Sequence, residues 1–418
     1  METSDNNRLL RSAEKTKNSR LSATAAKSPH ARRWLNVCMI SAALSLGGIG
    51  HGHAQTAPTL TPNGGTFTTQ QNVFVSTTNS FGSVFYTVNG TAPTTNSLPL
   101  LSNSTILISQ PTTLKVAAFV GTNSAVTTAN FNITGQVGTG VISSVVLRAD
   151  GTVWTAGDNS VGELGLGNFT SATTPMQTTG LSGITALSCG YLHVLALDND
   201  GDVWSWGNNG NGQLGTGNEG VSYSIPGQIS TLSGMVAVAA GWYHSLGLRN
   251  DGTVWAWGYN GVGELGNGST SDSAIPVQVQ GLPTNIVAIA AGQYHSLALD
   301  SGGNVWGWGY NADGELGLGN NSFGYANPQQ MTGLTGVTAI AAGMTYSAFI
   351  STNGTVWTTG ANGSGQLGNN TTNGSLIPVQ VSGLTGVGTI SAGEYFCSAL
   401  KTNGTVWTWG DNDVTSRI

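Results

Sequence analysis

Three histidines recur at one place in a repeating segment: His193, His244 and His295, with Ser143, Tyr346 and Phe396 at the equivalent position of other copies. Imidazoles ringed about an axis are a pattern that binds transition metals. Against that reading, Tyr and Phe stand in freely, and a catalytic centre breaks symmetry where these residues repeat it. We expect them to be structural, hydrogen bonding within their own repeat. Glu163, Glu264 and Glu315 precede a Leu-Gly pair and alternate with Gln213 and Gln366. A neutral amide cannot serve in acid–base work, so a turn-fastening role is expected. Glycine-rich runs such as 207–217 lack the Lys-Ser/Thr of a phosphate loop. Cys189 and Cys397 lie in different repeats without metal spacing, and read as buried small thiols. No catalytic, cofactor-binding or metal-binding residue is assigned, and no cofactor is expected.

A second set of positions is fixed in place but free in type. Between a repeat Gly and the His position stand Tyr191-Leu192, Trp242-Tyr243, Gln293-Tyr294, Met344-Thr345 and Glu394-Tyr395. Tyr and Trp are the residues that binding hot spots favour, which makes Tyr191, Trp242, Tyr243, Tyr294 and Tyr395 candidates for partner contact. The variable stretches 219–225 and 320–327 add Tyr223, Phe323 and Tyr325.

What positions these residues is a period. Trp154, Trp204, Trp255, Trp306, Trp357 and Trp407 are spaced by 50 or 51 residues, the mark of a repeat architecture. Each follows a turn pair: Asp150-Gly151, Asp200-Gly201, Asp251-Gly252, Gly302-Gly303, Asn353-Gly354 or Asn403-Gly404. Such pairs suit a two-residue type I′ hairpin, which needs positive φ at both positions. In the strand that follows, Trp255 and Trp257 share a face because strand side chains alternate. A sheet with an aromatic face must be covered, and the next repeat's sheet is the available cover. In one full period, strands are expected over 286–291, 296–299, 304–308 and 329–331, the last beginning after Pro328. Four-stranded sheets stacked radially make a propeller.

Composition narrows the class further. Charged residues are 8% of the 418, against roughly 25% in an ordinary domain. Low charge with 62 Gly resembles disorder, but twelve Trp argue for a packed chain. Eight of the thirteen Lys and Arg fall in the first 34 residues, and the remainder carries five basic and sixteen acidic residues. An acidic surface repels phosphate, so no nucleic-acid partner is expected. Arg32 and Arg33 precede an apolar run from Trp34 to about Ile49 and then Gly52-His53-Ala54, the form of an export signal. Residues 1–55 are therefore read as a basic n-region and signal peptide. The mature chain is placed outside the cell, at its surface or in a periplasm, without stable membrane insertion after cleavage.

Two resemblances extend this reading. Residues 57–134 alternate in short strands and carry Pro62-Asn63-Gly64-Gly65-Thr66-Phe67, 86–94 (Tyr-Thr-Val-Asn-Gly-Thr-Ala-Pro-Thr) and Leu114-Lys115-Val116-Ala117-Ala118-Phe119. They resemble the chitobiase/β-hexosaminidase carboxy-terminal domain, which implies a fibronectin-type-III-like β-sandwich serving as a spacer. Residues 138–418, with 241–248 (Gly-Trp-Tyr-His-Ser-Leu-Gly-Leu) running into 251–258 (Asp-Gly-Thr-Val-Trp-Ala-Trp-Gly), resemble the regulator of chromosome condensation repeat. That likeness implies an all-β fold and a seven-bladed propeller. Here the Trp-bearing hairpin occurs six times, the first unit lacks the usual opening strand, and 413–418 leave the pattern. We read the propeller as carboxy-terminally incomplete. The expected function is a non-enzymatic binding scaffold for a protein or cell-surface glycan. The resemblance leaves open an alternative, guanine nucleotide exchange on a small GTPase, the activity of eukaryotic members of the family.

Overall fold

The computed structural model describes residues 56–412, except for short internal stretches at 68–70, 78–82, 101–103, 109–111, 121–122 and 134. The expected export signal and the segment 413–418 lie outside the described residues.

Strand alternation builds the amino-terminal sandwich. Thr59–Thr61, Gln71–Ser76 and Ser104–Ile108 form one sheet. Gly65–Phe67, Asn123–Ile133, Thr112–Val120, Ser83–Thr87 and Leu98–Leu100 form the other, in that order. Val73, Val75 and Ile106 from the first sheet meet Val84, Leu114, Val116 and Phe131 from the second in one dry core. The chain leaves this sandwich at Ile133 and enters the first propeller sheet at Gln136.

That entry corrects one expectation. The first repeat does possess an opening strand, Gln136–Thr139, paired antiparallel with Ser143–Leu147. It lacks the Ala-rich pattern of its counterparts, which is why the sequence hides it. Its anchor is a reciprocal pair: the Gln136 amide donates to Leu187 O at 2.9 Å and accepts from Leu187 N at 2.9 Å.

Five four-stranded antiparallel sheets follow one another, and a sixth has three strands among the described residues. In each sheet the strands run in chain order from the axis outward. In the fourth these are Ile286–Ala291, His295–Asp300, Val305–Tyr310 and Gly324–Gln330. Pro328 lies inside the outer strand rather than before it. Proline is tolerated there because an edge strand turns its missing N–H away from the ladder.

The hairpin turns are not type I′. Gly151, Gly201, Gly252, Gly303, Gly354 and Gly404 have φ between 72° and 85°, whereas Asp150, Asp200 and Asp251 do not take positive φ. Gly252 N donates to Arg249 O at 2.9 Å and Arg249 N to Thr253 O at 2.9 Å. This is a type I turn closed by a left-handed glycine, the three-residue hairpin. Asp251 stays right-handed because its carboxylate accepts from Thr253 N at 3.0 Å and Thr253 Oγ1 at 2.6 Å, the self-bonding that makes Asp a turn residue.

The indole face is covered by the preceding sheet, not the following one. Trp206 packs on Val145, Leu147 and Val153 of the first sheet, and Trp257 on Leu195, Leu197 and Val203 of the second. Trp206, Trp257 and Trp308 are fully buried, each contributing on the order of 2–3 kcal/mol by area. In the sixth sheet the pattern lapses. Val406 is 67% and Trp407 48% exposed, where the equivalent Val254 is 2% exposed.

Candidate functional site

Each blade has two ends. At one lie the turn between first and second strands and the long loop between third and fourth; at the other lies the Asp-Gly hairpin. The two ends do different things.

Between blades, the first kind of end carries a latch. His244 Nε2 and Ser296 Oγ are 3.0 Å apart across the boundary of the third and fourth blades. Ser296 donates its proton to Glu264 O at 2.9 Å, and Trp308 Nε1 donates to the same carbonyl at 2.7 Å. The set repeats one blade earlier with His193, Ser245, Gln213 and Trp257, and one blade later with His295, Ser347 and Glu315. The histidines thus bond between blades, not within them as the sequence suggests. Burial pushes all three imidazoles down to about 3, so they stay neutral and their Nδ1 atoms have no partner. Gly241 makes room for this ring: a Cβ there would collide with the His244 imidazole and come within 2.7 Å of Gly292 O.

The carboxylates fasten turns, as expected. Glu264 Oε2 accepts from Val262 N at 3.0 Å, and Gln213 Oε1 accepts from Asn211 N at 2.9 Å in the sister loop. The other oxygens of Glu163, Glu264 and Glu315 are buried without a partner. Burial raises all three, Glu264 to about 7 and Glu315 to about 8. Cys397 is buried and donates its thiol proton to Ser391 O at 3.4 Å, Cys189 is half-buried, neither forms a disulfide, and burial pushes both thiols up to about 12. Such thiols are unreactive. Among the described residues no group of three or more His, Cys, Asp or Glu is placed to hold a metal.

Around the axis, Gly140, Gly190, Gly241, Gly292, Gly343 and Gly393 line a funnel of about 600 Å³. Tyr191 and Trp242 stand at its rim, and from them an aromatic arc runs outward. Tyr191 meets Trp242 at 4.7 Å between ring centroids and Tyr243 at 5.7 Å. Tyr243 meets Tyr259 at 6.5 Å and Tyr294 at 6.0 Å. Tyr294 meets Tyr310 at 6.5 Å, and Tyr310 meets Phe323 at 5.6 Å. Seven rings from the second, third and fourth blades make one continuous strip. All but Phe323 are half-buried, and Phe323 is 68% exposed. Desolvation raises the phenols of Tyr243, Tyr259, Tyr294 and Tyr310 above their ordinary value, keeping them neutral donors.

Of the eight candidates from sequence, five join this strip: Tyr191, Trp242, Tyr243, Tyr294 and Phe323. Tyr325 turns back on its own loop, donating to Asn320 Oδ1 at 3.0 Å. Tyr223 accepts from Asn218 in the same manner. Tyr395 occupies the equivalent turn of the sixth blade, half-buried and without a ring contact to the strip among the described residues. Two members were missed, Tyr259 and Tyr310. Both directly follow the third-strand Gly, where other repeats carry Asp158, Asn208, Ala361 and Asp411. Tyr at that position in two adjacent repeats only was the available signal.

Six sheets about one funnel, tied blade to blade, define a β-propeller assembled from a tandem unit. The regulator of chromosome condensation (RCC1) repeat matches residues 150–197, 200–248, 251–299, 302–350 and 353–400, more than half of the chain, and the chain belongs to that family. The chitobiase/β-hexosaminidase C-terminal domain matches residues 62–128. The human probable E3 ubiquitin-protein ligase HERC4 is 39% identical over 247 residues, 57% of this chain and 23% of that protein. The Arabidopsis thaliana ultraviolet-B receptor UVR8 is 32% identical over 248 residues, 58% of this chain and 56% of that one. The chain therefore spans a quarter to about half the length of these relatives. Yeast RCC1 (Prp20), in its structure bound to Kap60, superposes with a TM-score of 0.59 at 22% identity, over 66% of this chain and 69% of that one. That likeness concerns the fold.

Proposed function

We propose that this protein is an exported, non-enzymatic binding scaffold whose aromatic arc holds a macromolecular partner, a protein or a glycan. The observation that carries the reading is the break in symmetry. The latches are made of fully buried groups and serve the fold, whereas the arc gathers seven partly exposed rings on the second, third and fourth blades alone. Half-exposed Tyr and Trp gathered at a funnel rim are what interface hot spots use. The sandwich sets the propeller off from whatever surface the chain is exported to.

The test is capture from envelope and culture-medium fractions with the full chain. Trp242→Ala combined with Tyr294→Ala should abolish capture that a variant at the hairpin end, Thr253→Ala, retains. Unchanged capture by the double variant would refute the assigned face.

The family relation favours one further reading, exchange on a small GTPase: Prp20p of Saccharomyces cerevisiae, which shares this fold, binds Gsp1p and histones. A nucleotide-release assay showing stimulation by the full chain would support it over the scaffold role.

A further inference from the structure

Carboxylates stand at both ends of the blades, but the basic side chains of the described propeller residues are confined to one. At the end bearing the arc stand Asp158, Glu219, Asp272, Asp313, Glu394 and Asp411, all at least partly exposed, and no Lys or Arg among the described residues. Among the described residues the basic side chains of the propeller, Arg148, Arg249 and Lys401, lie at the hairpin end, each over an indole: Trp154 at 5.6 Å, Trp255 at 4.7 Å and Trp407 at 5.6 Å from charge to ring centroid. The arc is therefore a strip of neutral rings set in a field of one sign. Asp272 lies close enough to Tyr259, and Asp313 close enough to Tyr310, to act on their phenols.

Ring geometry narrows the ligand. Along the arc the interplanar angles are 34°, 47°, 82°, 70°, 30°, 59°, 62° and 80°. A flat sugar ribbon stacks on coplanar rings, and has no use for a surface of uniform charge. Rings tilted against one another leave slots between edges and faces. A guanidinium or ammonium group enters such slots, attracted by the ring faces and by the surrounding carboxylates. The protein makes the same pairing internally at Arg249 and Trp255.

We propose that the arc face receives a basic protein segment, whose Arg and Lys side chains lodge among Tyr243, Tyr259, Tyr294 and Tyr310 while Asp272 and Asp313 flank them. This rests on the reading of the arc as the binding face, and adds to it the chemistry of the partner. Attraction of this kind speeds encounter and weakens with salt.

The experiment uses the full chain with four probes: deca-arginine, deca-lysine, a neutral Gly-Ser peptide of equal length, and chitohexaose, followed by quenching of Trp fluorescence and by calorimetry. Deca-arginine is expected to bind at least tenfold tighter than the Gly-Ser peptide, and to lose at least threefold between 50 and 300 mM salt. Tyr243→Ala with Tyr294→Ala should cost about tenfold, Tyr243→Phe with Tyr294→Phe should retain binding, and Asp272→Asn with Asp313→Asn should weaken it about threefold at low salt. Near-ultraviolet circular dichroism checks that each variant is folded. Arginine binding that ignores the Tyr variants would reduce the effect to bulk attraction and overturn the proposal. Salt-independent binding of chitohexaose at the arc, without arginine binding, would assign the face to a glycan instead. If the arc variants abolish capture of the native partner while deca-arginine does not bind, the face stands and its basic chemistry fails; if neither responds, both fail.

Discussion

Ser296 donates its only hydroxyl proton to Glu264 O, 2.9 Å away, so at its 3.0 Å contact with His244 it can only accept. The imidazole therefore carries its proton on Nε2, and one serine ties two blades through two groups of the third. Ser296→Ala leaves a buried N–H without an acceptor, at a cost of about 1–3 kcal/mol. Urea unfolding should report that loss, and Ser347→Ala should match it one blade on. A change below about 0.5 kcal/mol at both would mean the latch is not part of the fold's stability.

Stability should depend on pH in two opposed ways. The three histidines sit at about 3 in the fold, against an unfolded value near 6.5. The unfolded chain gains their protons first, so their contribution is full above 6.5 and lost as pH falls toward 3. Glu264 at about 7 and Glu315 at about 8 lie above an unfolded value near 4.5. There the folded chain holds the proton longer, so their contribution is full below 4.5 and lost as pH rises through 7 to 8. Glu264→Gln should raise the melting midpoint at pH 8.5 and leave it nearly unchanged at pH 5, where the native carboxyl is already protonated. An equal shift at both pH values would contradict the assignment.

How far these relationships could be read beforehand depends on their span in sequence. The Trp period and the alternation around Trp255 and Trp257 are local, and they located blades and indole faces correctly. The hairpin was legible as a turn but not as a type, because Asp251 and Gly252 tolerate positive φ in principle and only the bonds that Asp251 accepts from Thr253 decide which residue takes it. The partner of His244 was not legible at all. Ser296 lies 52 residues away in the next repeat, and no pattern within one repeat reveals how neighbours register. Tyr259 and Tyr310 escaped for a related reason: Tyr259 meets Tyr294 only once two blades are side by side, and Tyr310 meets it only once the fourth blade's own strands are paired.

Two glycines in identical turns separate backbone strain from crowding. Gly252 has φ 81° and Gly404 φ 85°. A Cβ at Gly404 would meet nothing within 4 Å, whereas one at Gly252 would collide with the carbonyl of Thr284. Gly404→Ala should cost only the left-handed penalty, about 1–2 kcal/mol. Gly252→Ala should cost clearly more, since backbone must also move. Equal losses in denaturant unfolding would show that the 282–285 connection yields without resistance.

The ends of the blade series offer the last comparison, because the same residue type meets different cover. Val254 is 2% exposed against the fourth blade, while Val406 at the equivalent place in the sixth is 67% exposed. Removing two methyl groups from a packed site costs transfer energy and leaves a cavity, whereas at an exposed site it costs little. Val254→Ala should therefore destabilise the full chain by about 1–3 kcal/mol, and Val406→Ala by less than about 0.5 kcal/mol, when both are measured by chemical denaturation at one protein concentration. If Val406→Ala proves as costly as Val254→Ala, the outer face of the sixth blade is covered in solution. Repeating the measurement across a hundredfold range of protein concentration would then show whether a second copy provides the cover, since only an intermolecular contact makes the loss concentration-dependent.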